Sequence, residues 1–130
     1  MAKYFGAVGI PVSDLETSSA FYTEILGMVV LQTIEIPVMR QVVLGFEGVR
    51  GASVLLMNYT DGRDVNCKDN PLKLVFYVPD TAATLEAARA ANYTVEIEAT
   101  PVPELGGAII GFAKDPDGYR IELVQKPARK

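Results

Sequence analysis

The polar residues best placed for chemistry lie in two apolar stretches of the second half of the chain. In residues 72–78 and 119–123 every second position is apolar and the polar side chains fall between them, a period typical of β-strands with one face on a core. The alternation puts four polar side chains on the other face: Lys73, Tyr77, Arg120 and Glu122. A carboxylate can take a proton from carbon, and an ammonium or phenol can stabilise the resulting oxyanion. The planar fork of an arginine can hold an anionic group.

Each of these side chains also has an interpretation without chemistry. Glu122 can merely neutralise Lys73 or Arg120, and a lysine can extend its ammonium into solvent while its stem stays on the protein. Tyr77 can be a packed aromatic residue with a hydrated hydroxyl. Arg40, isolated in an otherwise apolar stretch, is a weaker candidate for contact with a ligand.

Composition limits the classes of protein to which the chain can belong. With 130 residues, 49% of them hydrophobic, the sequence predicts one domain over residues 1–130. A net charge of −4 without basic clusters argues against a nucleic-acid partner, and no apolar run reaches the roughly 20 residues of a membrane helix. The single cysteine, Cys67, and the lack of a signal-peptide pattern favour the cytoplasm. The sequence contains no histidine, which removes the commonest base near neutral pH and the commonest transition-metal ligand.

The elements that must position the polar residues occur twice along the chain. The pattern predicts strands at 4–12, 28–36, 40–47 and 52–59 with a helix at 13–26, in which Ser13 and Glu16 form a capping box. It then predicts strands at 72–78, 93–99, 108–114 and 119–125, with a helix from Asp80 to about residue 91. The sequence therefore predicts an α+β fold of two βαβββ modules, 4–60 and 71–126, joined by a polar linker at 61–70.

Three segments resemble the glyoxalase/bleomycin-resistance/extradiol dioxygenase (vicinal-oxygen-chelate) superfamily. They are residues 12–28 with a Phe-Tyr…Leu-Gly pattern, 101–112 with a Gly-Gly pair, and 115–123 with an Asp-Pro-Asp-Gly turn. The resemblance implies that the modules form a curved mixed sheet with an open cup, with helices on the outer face. It also implies a homodimer, and it implies that metal-using relatives take one ligand from the first and one from the fourth strand of each module.

Those four ligand positions fall here at Ala7, Leu56, Lys73 and Glu122. Only a carboxylate among them can bind a divalent cation, so the chain departs from the family pattern here and we expect no metal; no other cofactor is expected either. Because first and fourth strands are neighbours in the family's sheet, Lys73 and Glu122 are expected to pair in place of a metal site. The cup residues expected to contact a ligand are Ala7, Gly9, Leu56, Asn58, Arg120 and Arg40.

Three functions remain open at this stage. The first is a metal-independent lyase or isomerase, with Glu122 as base and Lys73 or Tyr77 stabilising an enolate. The alternative is a protein that binds or sequesters a small molecule without chemistry, as bleomycin-resistance members do. The third is a dimeric scaffold without a ligand, against which the charged residues of the cup argue, since a disused cavity can fill with aliphatic side chains.

Overall fold

The computed structural model describes residues 2–65, 67 and 69–128. The chain divides into two compact units, Met1–Cys67 and Lys68–Lys130. Each unit contains one four-stranded mixed sheet and follows the order strand, helix, strand, strand, strand. The predicted α+β class and the duplicated βαβββ order are therefore confirmed. The predicted linker, 61–70, includes positions 66 and 68, which lie outside the described residues.

The first unit begins with its shortest strand and ends with the strand that pairs with it. Its elements are β1 (Ala7–Pro11), α1 (Leu15–Ala20), β2 (Val29–Ile36), β3 (Met39–Gly45) and β4 (Ser53–Tyr59). After α1 the chain continues as a π-helical turn, Phe21–Ile25. The strand order is β1-β4-β3-β2, in which β1 and β4 are parallel and the other neighbours antiparallel.

The second unit repeats this topology. Its elements are β5 (Lys73–Tyr77), α2 (Thr81–Ala90), β6 (Val95–Val102), β7 (Ala108–Lys114) and β8 (Arg120–Gln125). The strand order is β5-β8-β7-β6, and β5 and β8 are again the parallel pair. A short 3₁₀ turn, Pro103–Leu105, connects β6 to β7.

Both helices begin at an aspartate whose side chain accepts a hydrogen bond from a backbone amide of the first turn. Asp80 accepts from the amide of Ala83 at 3.0 Å, and Asp14 accepts from the amide of Thr17 at 2.9 Å. The hydrogen bond from Thr17 lowers the pKa of Asp14 below its ordinary value of 3.8. The prediction that Ser13 caps α1 is therefore wrong by one residue.

Each helix covers one face of its own sheet and forms a core there. In the first unit the fully buried side chains include Ile10, Phe21, Tyr22, Leu44 and Leu56. In the second they include Leu85, Tyr119, Ile121 and Leu123. Burying a side chain of this size contributes roughly 1.5–3 kcal/mol to folding, so these faces fix the phase of the strands that carry the buried side chains.

The second helix approaches its sheet most closely at a glycine of β7. A β-carbon added at Gly111 would lie 2.5 Å from Cδ1 of Leu85 on α2 and 3.0 Å from the backbone oxygen of Ile97. The side chains that flank Gly111 in β7 therefore project from the other face. Among the described residues, no helix is long and apolar enough to cross a membrane.

Candidate functional site

The predicted polar residues of the second unit share the face of the sheet that α2 does not cover. Lys73 lies in register with Arg120, and Val75 lies in register with Glu122, so these four project from one face. On the covered face Phe76 and Leu123 are 8% and 1% exposed. On the other, Val75 and Tyr77 are 46% and 66% exposed. We call the uncovered side, with its residues from β5, β7 and β8, the open face of the second sheet.

Lys73 and Glu122 form an ion pair on this open face. Nζ of Lys73 donates a hydrogen bond to Oε1 of Glu122 at 2.5 Å. The carboxylate is the better sheltered partner, because the Glu122 side chain is 12% exposed and that of Lys73 is 49% exposed. The contact expected from the sequence is present, with the ammonium reaching solvent and the carboxylate held close to the sheet.

Arg120 takes part in a second charged cluster beside the first. Its guanidinium carbon lies 4.3 Å from the centroid of the Phe112 ring, and its Nε donates a hydrogen bond to Oε1 of Glu96 at 2.8 Å. Nζ of Lys114 lies 3.9 Å from Oε2 of Glu96, which is an ion-pair distance too long for a hydrogen bond. The ammonium of Lys73 lies 5.7 Å from the same Phe112 ring.

The sequence interpretation missed three members of this cluster. Phe112 and Lys114 alternate with buried Gly111 and Ala113 in a strand that was predicted with its correct ends, so alternation alone would have placed them on the open face. No comparable signal exists for Glu96, because β6 has an irregular register between Val95 and Ile97.

Tyr77 lies at the other end of β5 from Lys73. It is in register with Val124, and the ammonium of Lys126 lies 5.0 Å from the centroid of its ring. The structure therefore places Tyr77 on the open face, with Lys126 and not Lys73 over its ring. Its catalytic role stays a prediction.

The open face of the first unit holds two of the predicted ligand-contact residues. Ala7 and Gly9 are in register with Ser53 and Leu55 of β4, and a β-carbon added at Gly9 would lie 3.2 Å from Sδ of Met57. Beside Ala7 and Gly9 this face carries Ser53, Leu55 and Met57 of β4.

The prediction that Leu56 lies on the same face as Ala7 and Gly9 is wrong. Leu56 is in register with Ile10, and both side chains are fully buried on the face covered by α1. Between paired positions of its first and fourth strands, the second module has one residue more than the first module. The position in the first module that matches Glu122 is therefore Leu55. A register error of one residue moves a whole strand to the opposite face.

Asn58 and Arg40 follow Leu56 to the helix side, which corrects their predicted orientation as well. Asn58 donates from Nδ2 to the backbone oxygen of Val12 at 3.1 Å, tying the end of β1 to β4. Arg40 is in register with Asn58, and its Nη2 donates to Oε1 of Glu16 on α1 at 3.1 Å. Both side chains therefore have structural partners beside α1.

The residues at the family's four ligand positions do not fit a divalent metal. With the register corrected they are Ala7, Leu55, Lys73 and Glu122. They offer one carboxylate, and an ammonium is hydrogen-bonded to it. A stable metal site needs three or four N, O or S donors in fixed geometry. Within residues 2–65, 67 and 69–128, no three His, Cys, Asp or Glu side chains are grouped so that they could hold an ion.

Two βαβββ units, each with parallel first and fourth strands, define a class of paired-module proteins. The family model of the Glyoxalase/Bleomycin resistance protein/Dioxygenase superfamily matches residues 4–123, and the chain belongs to this family.

The chain is similar to two bacterial proteins and to one solved structure. The lactoylglutathione lyase of Haemophilus influenzae is 36% identical over 122 residues, which cover 92% of this chain and 90% of that one. The lactoylglutathione lyase of Salmonella typhimurium is 35% identical over 117 residues, covering 88% and 86%. The structure of Leishmania major glyoxalase I superposes with a TM-score of 0.81 at 26% identity, covering 96% of this chain and 88% of that one.

Proposed function

We propose that the protein is a glyoxalase-type lyase or isomerase that acts on a small carbonyl compound without a divalent metal. The observation that carries the proposal is the 2.5 Å contact between Nζ of Lys73 and Oε1 of Glu122. It puts a positive charge and a carboxylate side by side at two positions where metal-using relatives have ligands. The similarity to proteins named lactoylglutathione lyase supports chemistry of the lyase kind.

In this proposal Glu122 moves a proton and Lys73 stabilises the oxygen that becomes negative. In a 2-hydroxycarbonyl compound, the carboxylate takes the proton from the carbon that bears the hydroxyl and returns it to the carbonyl carbon. The proton of the hydroxyl moves to the former carbonyl oxygen. No oxidant or reductant is needed. The half-exposed ammonium of Lys73 lies on a flexible stem, so a substrate oxygen can replace Glu122 as its partner. That exchange frees the carboxylate to act as the base and brings positive charge to the developing enolate.

A second candidate is a protein that binds a small molecule without converting it. The same contact supports this alternative, because a carboxylate that is hydrogen-bonded to the Lys73 ammonium is occupied and not free to take a proton from carbon. The exposed side chains of Val75 and Tyr77 offer apolar surface beside a few charged groups, as ligand sites commonly do.

We further propose that the protein acts as a homodimer in the cytoplasm. Support for association comes from β2, on which three large apolar side chains are about half exposed, namely Val30, Leu31 and Ile36 at 51%, 50% and 48%. Large apolar side chains left exposed on the edge strand of a sheet are typical of an interface. A sedimentation measurement that finds only monomer at micromolar concentration would contradict the dimer.

Deuterium exchange separates the enzyme from the binder. Protein purified without a tag and treated with a chelator is incubated in D₂O with S-lactoylglutathione and other 2-hydroxycarbonyl compounds. NMR then follows deuterium entering the carbon beside the carbonyl. We expect exchange by the metal-free protein, with a loss of about 100-fold or more in Glu122→Gln, the usual effect of removing a general base. Lys73→Ala is expected to slow it as well.

The matched control is Glu86→Gln, which removes a carboxylate from the exposed side of α2, where it pairs with Arg89. This variant is expected to exchange at the wild-type rate. Exchange that appears only after nickel, zinc or iron is restored would refute the metal-independent proposal. Saturable binding with no exchange for any compound would favour the second candidate.

A further inference from the structure

Three cations lie side by side across neighbouring strands of the second sheet. Arg120 of β8 is in register with Lys73 of β5 on one side and with Lys114 of β7 on the other. Since in-register neighbours project from the same face, all three belong to the open face. We call these three residues the cation row. Like charges directly opposite each other in a sheet are unfavourable, so the arrangement requires a compensating partner.

The carboxylates nearby compensate this charge only in part. Glu122 accepts a hydrogen bond from Lys73, and Glu96 serves both Arg120 and Lys114. Three cations against two carboxylates leave one net positive charge. Lys114 reaches Glu96 only at 3.9 Å, and the hydrogen bond of Arg120 uses Nε. In the part of the chain that the structure describes, no hydrogen bond from the terminal amino groups of Arg120 is seen.

The first sheet shows that the fold does not require these charges. At the place equivalent to Lys73 and Arg120 it has Ala7 in register with Ser53. The third place in that row is Gly45, at which an added β-carbon would lie 3.2 Å from Oγ of Ser53. The same topology is thus built with three small neutral residues in one unit and three cations in the other. The first unit, which has the same topology without these charges, therefore gives no support for a purely structural role of the cation row.

We infer that two members of the cation row, Arg120 and Lys114, bind the carboxylate group of a small organic acid, with Arg120 as the main contact. A guanidinium presents two parallel N–H donors that match the two oxygens of a carboxylate. The guanidinium carbon of Arg120 lies over the Phe112 ring, 4.3 Å from its centroid, and the ring offers apolar surface to the body of the ligand. One net positive charge matches a singly charged acid.

This inference names the substrate class and rests on the proposed function only in placing the ligand on the open face of the second sheet. The acid end of the molecule lies on Arg120 and Lys114. The reacting carbonyl then lies toward Lys73 and Glu122, because Phe112 is in register with Glu122. Arg120 and Lys114 are accordingly positioning residues, whereas Lys73 and Glu122 touch the reacting atoms.

Benzoylformate and benzoylformamide are suitable probes, because they share one shape and differ in the carboxylate charge. Neither has a hydrogen on the carbon beside the ketone, so binding is measured without turnover. NMR titration at low salt is expected to give affinity for the acid about tenfold above that for the amide, as loss of a charge-assisted contact at an exposed site predicts. The preference should disappear in Arg120→Gln, weaken in Lys114→Gln, and fall as salt is added.

Arg89→Gln is the control, since Arg89 is also a paired arginine of the second unit but lies on α2. It should keep the preference for the acid. Equal affinity for acid and amide, no saturable binding of benzoylformate at millimolar concentration, or an unchanged preference in Arg120→Gln would overturn the inference. Inorganic phosphate competing as well as benzoylformate would overturn the assignment to carboxylates. Acid-selective binding without deuterium exchange on any substrate would instead refute the proposed function and leave this inference intact.

Discussion

The ion pair between Lys73 and Glu122 makes a measurable prediction about stability. Its N···O distance is 2.5 Å, at which two unit charges attract by roughly 1.7 kcal/mol in bulk water and about 6.6 kcal/mol at an effective dielectric constant of 20. The lysine is about half exposed, so solvent screening and the entropy of the side chain remove most of that attraction. Exposed pairs typically contribute 0.2–1 kcal/mol, and the sheltered carboxylate favours the upper end, about 1 kcal/mol.

A double-mutant cycle isolates this coupling. Urea unfolding is measured for the wild type, Lys73→Met, Glu122→Gln and the double variant, and the coupling is the part of the double effect that the single effects do not add up to. The pair Arg40–Glu16, at 3.1 Å with side chains 44% and 72% exposed, is the control and should give only about 0.3 kcal/mol.

The salt dependence of the coupling energy between Lys73 and Glu122 tests whether it is electrostatic. At about 1 M salt the Debye length falls to about 3 Å, close to the separation of the two charges, so the Lys73–Glu122 coupling should weaken by about half. A coupling as small as that of the control pair at low salt, or one that salt leaves unchanged, would show that the two charges do not act together in solution. The proposed exchange of partners at Lys73 would then have no basis.

The remaining predictions concern the scaffold, and each is read from unfolding curves. Gly111→Ala should lose about 1–3 kcal/mol by overpacking against Leu85, whereas Gly6→Ala, with nothing within 4 Å of the added carbon, should change little; equal losses would contradict the close approach of α2. Asp80→Ala should lose about 1 kcal/mol through the missing N-cap, and Asp80→Asn should restore most of it. The folded pKa of Asp14 is lowered, so its stabilisation is complete above the ordinary value of 3.8 and is lost as pH falls through the folded pKa. The stability advantage of wild type over Asp14→Asn should therefore shrink below about pH 3.8, and a constant difference would contradict the assignment.

The order of the elements was predictable because hydrophobic alternation and the repeat act together. Strand β7 was predicted with its observed ends, since a Gly-Gly turn precedes it and a Pro-Asp-Gly turn follows it. Strand β6 was predicted to end at residue 99, but it continues to Val102 through Pro101. A proline is tolerated there because β6 is an edge strand, and its register shifts twice along β7. Neither the edge position nor the bulges can be deduced from local sequence.

The site was predictable in the second unit and not in the first. In β8 polar and apolar residues alternate from Arg120 to Leu123, so Arg120 and Glu122 were assigned to the correct face. In β4 the run from Val54 to Met57 is entirely apolar and gives no phase of its own. Its phase was taken from a repeat period that is one residue too short for this strand, which put Leu56 in the place of Leu55.

The two units are an internal comparison that bears on the function. Both sheets place a helix on one face and leave the first and fourth strands adjacent, so the fold imposes the same geometry on Ala7 with Leu55 and on Lys73 with Glu122. The first pair is neutral and apolar, and the second is charged and hydrogen-bonded. Holding charges together costs desolvation and repulsion that the neutral pair avoids, and its net effect on stability is small. Stability alone therefore gives no reason for charge in one unit and its absence in the other, whereas a polar ligand on the second sheet does.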